Sequence, residues 1–314
     1  MRRRQFLVMG LAALGRSLAA EAKPLRGIFP IAQSPFTADD RLDLEALAAQ
    51  VRFLDRGGVH GVVWPQLASE WTTLSHAERT AGAEVVATTA RKLRIAAVLG
   101  VQSTERETAV GYAMQAQKLG ADAIISLPPS ENSTPPELLD YYREIGRATP
   151  LPLFVQAVGR MTPEAIIEMY QAIPTLRYVK DEAGQPLERI GVLRTRSRDE
   201  LKVFSGAHGR TLIEEMRRGF SGSMPAAAFA DLYAQTWDLW QAGKRQEAMA
   251  MHARTLLILT DMGLFGTEGI KYLLVLRGVF KTSHTRAGKS RLNDAGKQTL
   301  AEALDFVRPY LKAP

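Results

Sequence analysis

Eight short apolar runs, each followed by a longer segment with helical spacing of apolar residues, constrain the fold more than any other feature. Several runs, such as residues 95–99 and 123–127, are apolar almost throughout, which is typical of parallel strands buried on both faces. The predicted strands are 26–33, 59–65, 94–100, 122–128, 151–157, 176–182, 201–206 and 219–225.

The alternation predicts eight βα units in a row, which most economically close into a (β/α)₈ TIM barrel of the α/β class. A doubly wound open sheet is the alternative, but no glycine-rich nucleotide-binding motif follows any early strand. After Gly243 the pattern becomes all-helical. The predicted helices are 43–57, 76–91, 104–119, 136–147, 163–172, 187–196, 210–218, 227–242, 244–262, 268–279 and 294–311.

The first 22 residues are set apart from this pattern. Residues 3–7 read Arg-Arg-Gln-Phe-Leu, as in twin-arginine export signals, and residues 20–22 read Ala-Glu-Ala, a signal-peptidase type of site. We expect 1–22 to be a signal peptide for periplasmic export, 23–243 to be the barrel and 244–314 to be a helical extension of the same domain. If the leader is a misassigned start or a cytosolic extension, the protein stays in the cytoplasm.

Composition excludes several classes of function. The chain has no cysteine, so it has no disulfides, thiolate metal sites or cysteine nucleophiles. The net charge of +7 comes partly from the leader, and no basic stripe with aromatics indicates a nucleic-acid partner. The five histidines lack ligand spacing, and no apolar run reaches the roughly 20 residues of a membrane span. We expect no metal, no cofactor, no nucleic acid and no membrane span.

Lys180 lies near the carboxyl end of the sixth predicted strand, at the end of the barrel where active sites lie. Burial disfavours an ammonium ion, and a lysine with a lowered pKa forms an imine with a ketone. Alternatively, Lys180 reaches the rim and pairs with Glu182. Because side chains alternate along a strand, Tyr178 and Glu182 share the face of Lys180. Either can transfer protons, or Tyr178 fills the core and Glu182 is solvated.

Polar residues also follow other strands. Arg160, after the fifth strand, is a candidate clamp for a substrate carboxylate, although a lone loop arginine is more often simply exposed. Ser34 follows the first strand, and Ser69 and Glu70 follow the second.

With these residues in place, the chain from about Leu25 to Leu311 resembles the dihydrodipicolinate synthase/N-acetylneuraminate lyase family. The resemblance is carried by Ser34-Pro35-Phe36, by 57–63, by Glu70 with Leu74-Ser75 and Glu78-Arg79, by 179–183, by 204–206 and by 219–225. It implies that Lys180 forms the family's imine and that the protein is a homotetramer or homodimer. We expect a small 2-oxo acid partner, bound by Ser34, Ser69, Arg160, Gly206 and Met224.

The chain departs from the family pattern at the groups that relay protons. Where the family has the motif Gly-Thr-Thr-Gly-Glu, residues 66–70 of this chain are Gln-Leu-Ala-Ser-Glu. The family's usual tyrosine on strand 5 is replaced by Val155. Loss of a general acid–base typically costs about 10²–10⁴-fold in rate. A substituted relay through Glu70, Tyr178, Glu182 or a water could restore part of that rate.

Three functional hypotheses follow. The first is a lyase or aldolase that acts on pyruvate-derived or sugar-acid 2-oxo acids through a Lys180 Schiff base. The second is a non-catalytic binding protein on the same scaffold, and the third is a Schiff-base dehydratase or hydrolase. A carboxylate or hydroxyl close to the Lys180 amine favours an enzyme, whereas an apolar surround favours a binder.

Overall fold

The computed structural model describes residues 22–288 and 291–313, so the predicted signal peptide lies almost entirely outside the described residues. Eight strands form one sheet. They are Gly27–Ile28 (β1), Gly61–Trp64 (β2), Ala96–Gly100 (β3), Ala123–Ser126 (β4), Leu153–Ala157 (β5), Leu176–Asp181 (β6), Lys202–Ser205 (β7) and Gly222–Ser223 (β8). Each lies within one of the predicted apolar runs.

The sheet closes on itself. All neighbouring strands are parallel, and their order runs β1-β8-β7-β6-β5-β4-β3-β2. A parallel bridge between Ile31 and Val63 joins the first strand's continuation to β2. The predicted TIM barrel is thus confirmed.

Helices surround the barrel, and their starts follow from local sequence. They are Leu44–Arg56 (α1), His76–Ala90 (α2), Arg106–Leu119 (α3), Pro135–Ala148 (α4), Pro163–Ala172 (α5), Pro186–Arg196 (α6), Leu212–Arg217 (α7), Ala230–Gln241 (α8), Arg245–Gly263 (α9), Gly266–Leu276 (α10) and Asp294–Val307 (α11). Proline opens α4, α5 and α6, where its missing N–H costs nothing. Asp43 and Ser75 cap α1 and α2 through hydrogen bonds to backbone N–H groups.

Aromatic rings fill the middle of the barrel. Phe204 makes edge-to-face contacts with Phe29 and Phe154, at centroid distances of 5.4 and 5.2 Å. Val98 and Ile125 complete this apolar layer from other strands. Side chains above it, towards the carboxyl ends of the strands, therefore project into a space closed from below.

The C-terminal helices are fixed to the barrel by a buried ion pair. Arg277, after α10, donates from both terminal nitrogens to the Asp231 carboxylate at 3.0 and 2.8 Å. The same carboxylate accepts from the backbone N–H of Lys312 at 2.9 Å. These contacts hold α10 against α8, so that α9 and α10 reach the barrel mouth. None of the described helices combines the length and apolarity needed to cross a bilayer.

Candidate active site

Lys180 lies at the carboxyl end of β6 and points into the barrel mouth. Its side chain is 6% exposed, and Nζ lies 2.8 Å from Oε2 of Glu182. The two residues are neighbours because positions 180 and 182 share one face of the chain as it leaves the strand. The structure therefore brings together a buried amine and a carboxylate at the end of the barrel where chemistry occurs in this fold.

Three groups hold the Glu182 carboxylate. Gln156 Nε2 donates to Oε2 at 2.6 Å, and the backbone N–H of Ala207 donates to Oε1 at 3.0 Å. Burial alone would raise the pKa of Glu182, but the charge of Lys180 and these hydrogen bonds outweigh it and lower the pKa below its ordinary value. Glu182 is thus an ionised carboxylate held in a fixed position beside the amine.

Gly206 is the glycine that this arrangement requires. A Cβ added there would lie 1.8 Å from Oε1 of Glu182, so any larger residue would displace the carboxylate. Gly206 was predicted to bind substrate. Its contact in the structure is with Glu182.

A cavity of about 510 Å³ opens beside the lysine–glutamate pair. Met224, after β8, forms part of its wall, as do Gln66 and His208 after β2 and β7. Its outer side comes from the C-terminal helices through Met262 and Thr267. This volume is within the range of small-molecule sites, and the helical extension contributes directly to it.

Tyr178 lies one layer deeper than Lys180. Its ring stacks on Phe154 at a centroid distance of 4.2 Å and meets Phe204 edge-on at 6.1 Å. Burial raises the pKa of its hydroxyl. Tyr178 therefore belongs to the aromatic layer that forms the floor beneath the amine.

Glu70 lies in a second buried ion pair, away from the cavity wall. Its Oε2 accepts from Nζ of Lys271 on α10, and both side chains are almost fully buried, at 2% and 0% exposed. Oε1 accepts from the backbone N–H groups of Arg286 and Ala287 at 2.8 and 2.7 Å. With both oxygens occupied, Glu70 fixes α10 and the segment after it to the loop that follows β2.

Ser34 and Ser69, the two predicted serines, use their hydroxyl groups in hydrogen bonds between loops. Ser34 Oγ donates to the Ser69 carbonyl at 2.6 Å and accepts from the indole N–H of Trp64 at 3.0 Å. Ser69 Oγ donates to the Ala32 carbonyl at 2.6 Å. Both side chains are fully buried, and they tie the loop after β1 to the loop after β2.

Arg160 and Arg210 differ in their position relative to the cavity. Arg160 follows β5, is exposed and does not line the cavity, whereas Arg210 follows β7 and does. His208 lines the cavity as well, and burial followed by the charge of Lys180 lowers the pKa of its imidazole. Sequence reasoning placed His208 after strand 7 without giving it a role, and it did not select Arg210, Gln66 or Gln156. The face-sharing rule applied to 154 and 156 would have indicated Gln156.

Metal-binding geometry is absent from the described parts of the chain. Within residues 22–288 and 291–313, no group of three or more histidine, aspartate or glutamate side chains lies close enough to hold an ion. Among the described residues, the cavity wall offers an amine, a carboxylate, an imidazole and the guanidinium of Arg210.

Comparison with known proteins shows which family the chain resembles. The 4-hydroxy-tetrahydrodipicolinate synthase of Methanosarcina mazei is 28% identical to this chain over 191 residues. The match covers 59% of this chain and 65% of the relative, so less than two thirds of that protein is matched. The probable 2-dehydro-3-deoxy-D-pentonate aldolase YjhH of Escherichia coli is 29% identical over 74% of this chain and 80% of that protein.

Comparison with solved structures shows the same fold in relatives of this family. The crystal structure of YagE from Escherichia coli, a prophage protein of the dihydrodipicolinic acid synthase family in complex with pyruvate, superposes with a TM-score of 0.83 at 21% identity. That match covers 90% of this chain and 99% of YagE. The model of the dihydrodipicolinate synthetase family matches residues 24–306, nearly the whole barrel with its helical extension. The chain therefore belongs to the dihydrodipicolinate synthetase family, a family of aldolases and lyases.

Proposed function

We propose that this protein is a 2-oxo acid lyase or aldolase whose Lys180 forms an imine with the carbonyl carbon of its substrate. The observation that carries the proposal is the 2.8 Å contact between Lys180 Nζ and Glu182 Oε2 in the wall of the cavity. An amine acts as a nucleophile only after losing its proton, and a carboxylate in contact with it provides the acceptor.

Imine formation uses both members of the pair. Glu182 takes a proton from the Lys180 ammonium, and the free amine adds to C2 of the oxo acid. The nitrogen of the adduct passes a proton to the former carbonyl oxygen, which gives a carbinolamine. The carbinolamine hydroxyl then receives the proton held by Glu182 and leaves as water. The nitrogen then carries the double bond to C2 and a positive charge, which makes it an electron sink.

Cleavage follows from that charge. A base removes the proton from a C4 hydroxyl, the aldehyde forms and the C3–C4 bonding pair moves through C2 to the nitrogen. The resulting enamine takes a proton at C3, and water hydrolyses the imine to release pyruvate and Lys180. Glu182 is the proposed base, because it is fixed next to the amine and is the carboxylate that lines the cavity.

Glu182 thus takes the role left open by the replacement of the family's tyrosine by Val155. We propose that Tyr178 supports the lysine from below and that Glu70 positions α10, since their contacts lie away from the cavity. Arg210 is the better candidate for a substrate carboxylate than the exposed Arg160, because Arg210 lines the cavity. Ser34 and Ser69 are proposed to shape the loops, and Met224 to contact the substrate.

Two relatives support a 2-oxo acid as the substrate, since one is named as a pentonate aldolase and another was crystallised with pyruvate. The carboxylate at 2.8 Å from the amine supports an enzyme rather than a binding protein. A dehydratase would share the imine and break a C–O bond instead. Pyruvate and an aldehyde are the products of C–C cleavage, whereas dehydration gives a 2-oxo product that keeps all its carbons, so identification of the carbon product separates these two reactions.

The proposal is tested by cleavage of a panel of 4-hydroxy-2-oxo acids, with pyruvate release measured by a coupled assay. We expect Lys180→Ala to lower kcat/KM by at least about 10⁴-fold, because the covalent intermediate cannot form. Lys202→Ala, which removes an exposed lysine on the adjacent strand β7, is the matched control and should keep full activity. Turnover retained by Lys180→Ala would refute the imine mechanism.

Two further proposals concern the cell biology of the protein. We propose that residues 1–22 direct folded protein to the periplasm and that the mature chain forms a homodimer or homotetramer. Cell fractionation of the full chain and of an Arg3→Lys/Arg4→Lys variant tests the first. Light scattering of the purified protein tests the second.

A further inference from the structure

We propose that the barrel has a second binding site, at the end opposite Lys180, and that this site binds a phosphate group. The site is a pocket of about 460 Å³ whose wall includes Arg26, Arg194 and Arg245. None of the residues that line it also lines the cavity at Lys180. The proposal is therefore independent of the proposed function.

The pocket lies where the amino ends of two neighbouring strands meet α8. Arg26 directly precedes β1, and Ser221 directly precedes β8, which pairs with β1. Phe220 and Trp240, the latter in the last turn of α8, are buried and form the apolar part of the wall. Because Lys180 lies near the carboxyl end of β6 and all strands are parallel, the pocket and the cavity open at opposite ends of the barrel.

Two tryptophans of α8 hold two of the arginines at the pocket. The guanidinium carbon of Arg26 lies 5.1 Å from the centre of the Trp237 ring. The guanidinium carbon of Arg245 lies 3.8 Å from the centre of the Trp240 ring. Since Trp237 and Trp240 are three residues apart, they share one face of the helix. Stacking on an aromatic face restricts a guanidinium without using its N–H donors, so both arginines are ordered and still able to bind.

The charges of Arg26 and Arg245 are not balanced by carboxylates. Neither guanidinium forms an ion pair with an aspartate or glutamate among the described residues. Arg26 donates to Oε1 of Gln241 at 3.0 Å, and Arg245 donates to the Trp240 carbonyl. A guanidinium has five N–H donors, so most donors of both groups are unused within the described chain. Positive charges gathered in a concave surface focus the field and attract an anion.

A third arginine of the wall is fixed by an ion pair. Arg194 Nε donates to Oδ1 of Asp199 at 2.7 Å, and its Nη1 donates to the Arg218 carbonyl. Gly219 makes this position possible, because a Cβ there would collide with the guanidinium and because its φ of +75° favours glycine. Asp199 balances the charge of Arg194, so the pocket keeps at least the two positive charges of Arg26 and Arg245.

The chemistry of the ligand follows from these charges and donors. A phosphate monoester carries about two negative charges at pH 7 and has three strong acceptor oxygens. Guanidinium groups bind such oxygens in pairs, with charge-assisted hydrogen bonds. A single carboxylate offers one charge and two oxygens, and thus matches two arginines less well. Inorganic phosphate shares the chemistry of the monoester, whereas the volume of about 460 Å³ leaves room for an organic group as well.

The test measures dissociation constants by calorimetry with the full chain, for glycerol 3-phosphate, inorganic phosphate and glycerol. About 0.15 M salt screens attraction between distant charges. We expect glycerol 3-phosphate to bind and glycerol not to bind. Tighter binding of glycerol 3-phosphate than of phosphate identifies a monoester as the ligand, and equal binding identifies inorganic phosphate; both support a phosphate site. No binding of either anion at about 10 mM would overturn the proposal.

Variants assign the binding to the two stacked arginines. Arg26→Gln and Arg245→Gln should each lower the affinity at least about 10-fold, as loss of a charge-assisted hydrogen bond does. Arg245→Lys keeps the charge without the planar fork and should also bind more weakly. Arg52→Gln is the matched control, because Arg52 is an exposed arginine of α1 outside the pocket. Thermal melts confirm that the variants are folded. Unchanged affinity in both glutamine variants, or an equal loss in Arg52→Gln, would overturn the assignment.

A further variant separates this pocket from the cavity at Lys180. Arg210 lines that cavity and not the pocket, so Arg210→Gln should bind glycerol 3-phosphate as tightly as wild type. Loss of binding in Arg210→Gln, with binding retained in Arg26→Gln and Arg245→Gln, would place the phosphate at the other end of the barrel and overturn the proposal.

Discussion

Two buried lysine–glutamate pairs lie near the mouth of this barrel, and they differ in what surrounds them. Lys180 and Glu182 belong to one strand end and form part of a cavity wall. Lys271 and Glu70 come from α10 and the loop after β2, and 201 residues separate them in sequence. The first pair faces space that a ligand can occupy, and the second joins two parts of the chain.

The second pair is closed by its neighbours. Lys271 also donates to the His284 carbonyl at 2.8 Å, and its Nζ lies 4.3 Å from the centre of the Phe36 ring. Arg286, whose backbone contacts Glu70, ion-pairs with Asp40 and Glu78 at 3.0 and 2.8 Å. Lys271 therefore stabilises the packing of the helical extension against the barrel.

The comparison shows that burial and a depressed pKa do not identify a nucleophilic lysine. Burial lowers the pKa of Lys271 to about 8 despite the opposing charge of Glu70. A lowered pKa is a common property of lysines that form imines, yet the side chain of Lys271 has no exposed surface. Access to a cavity distinguishes the two lysines, and it favours Lys180.

Replacement of Glu182, the carboxylate of the pair that faces the cavity, should give the largest loss of activity. We expect Glu182→Gln to lower kcat by about 10²–10⁴-fold, because the amide cannot accept the lysine proton. Stability should fall as well, because the buried Lys180 amine loses its anionic partner. Steady-state kinetics with thermal melts checks both. Glu188→Gln, an exposed glutamate in the first turn of α6, is the control, and an equal loss of activity there would contradict the assignment.

Breaking the closed pair should affect stability before chemistry. Lys271→Met leaves Glu70 buried without its cation, which typically costs about 3–5 kcal/mol in the free energy of unfolding. The double variant Glu70→Gln/Lys271→Met should recover part of that loss. Urea denaturation of the three proteins measures it. If the double variant is no more stable than Lys271→Met, the ion pair is not the stabilising contact.

The Lys271–Glu70 pair should also have a smaller effect, on how the free energy of unfolding depends on pH. The folded protein releases the Lys271 proton near pH 8, whereas the unfolded chain keeps it up to about 10.5. Between these values the unfolded state binds more protons, so the contribution of Lys271 to stability rises with pH. The difference in unfolding free energy between wild type and Lys271→Met should therefore widen from pH 8 to 10.5. A flat difference would contradict the lowered pKa.

The fold was predictable because its signals are local. Strands buried on both faces give continuous apolar runs such as 123–127, and prolines at 135, 163 and 186 mark helix starts. The boundaries were less accurate at the ends. The predicted strand 26–33 is reduced to Gly27–Ile28. Beyond Pro30, which has no N–H to donate, Ile31 pairs only through isolated parallel bridges to Val63 and Ala226.

The site was predictable only where it depends on one strand. Lys180 and Glu182 share a face by alternation, so their contact follows from the sequence. The partner of Glu70 could not be deduced, since Lys271 lies on a helix brought near by tertiary packing. For the same reason, the sequence did not indicate that Met262 and Thr267 line the cavity. Arg160 and Arg210 each follow a strand, and only the path of the loop decides which one reaches the cavity.

The most direct test of the difference between the two pairs is to map the lysine that pyruvate modifies. The protein is incubated with pyruvate, reduced with borohydride, digested and analysed by mass spectrometry, with Lys180→Ala alongside. We expect a reduced adduct on the peptide containing Lys180 and none on the peptide containing Lys271. An adduct on Lys271, or an adduct that persists in Lys180→Ala, would contradict the account.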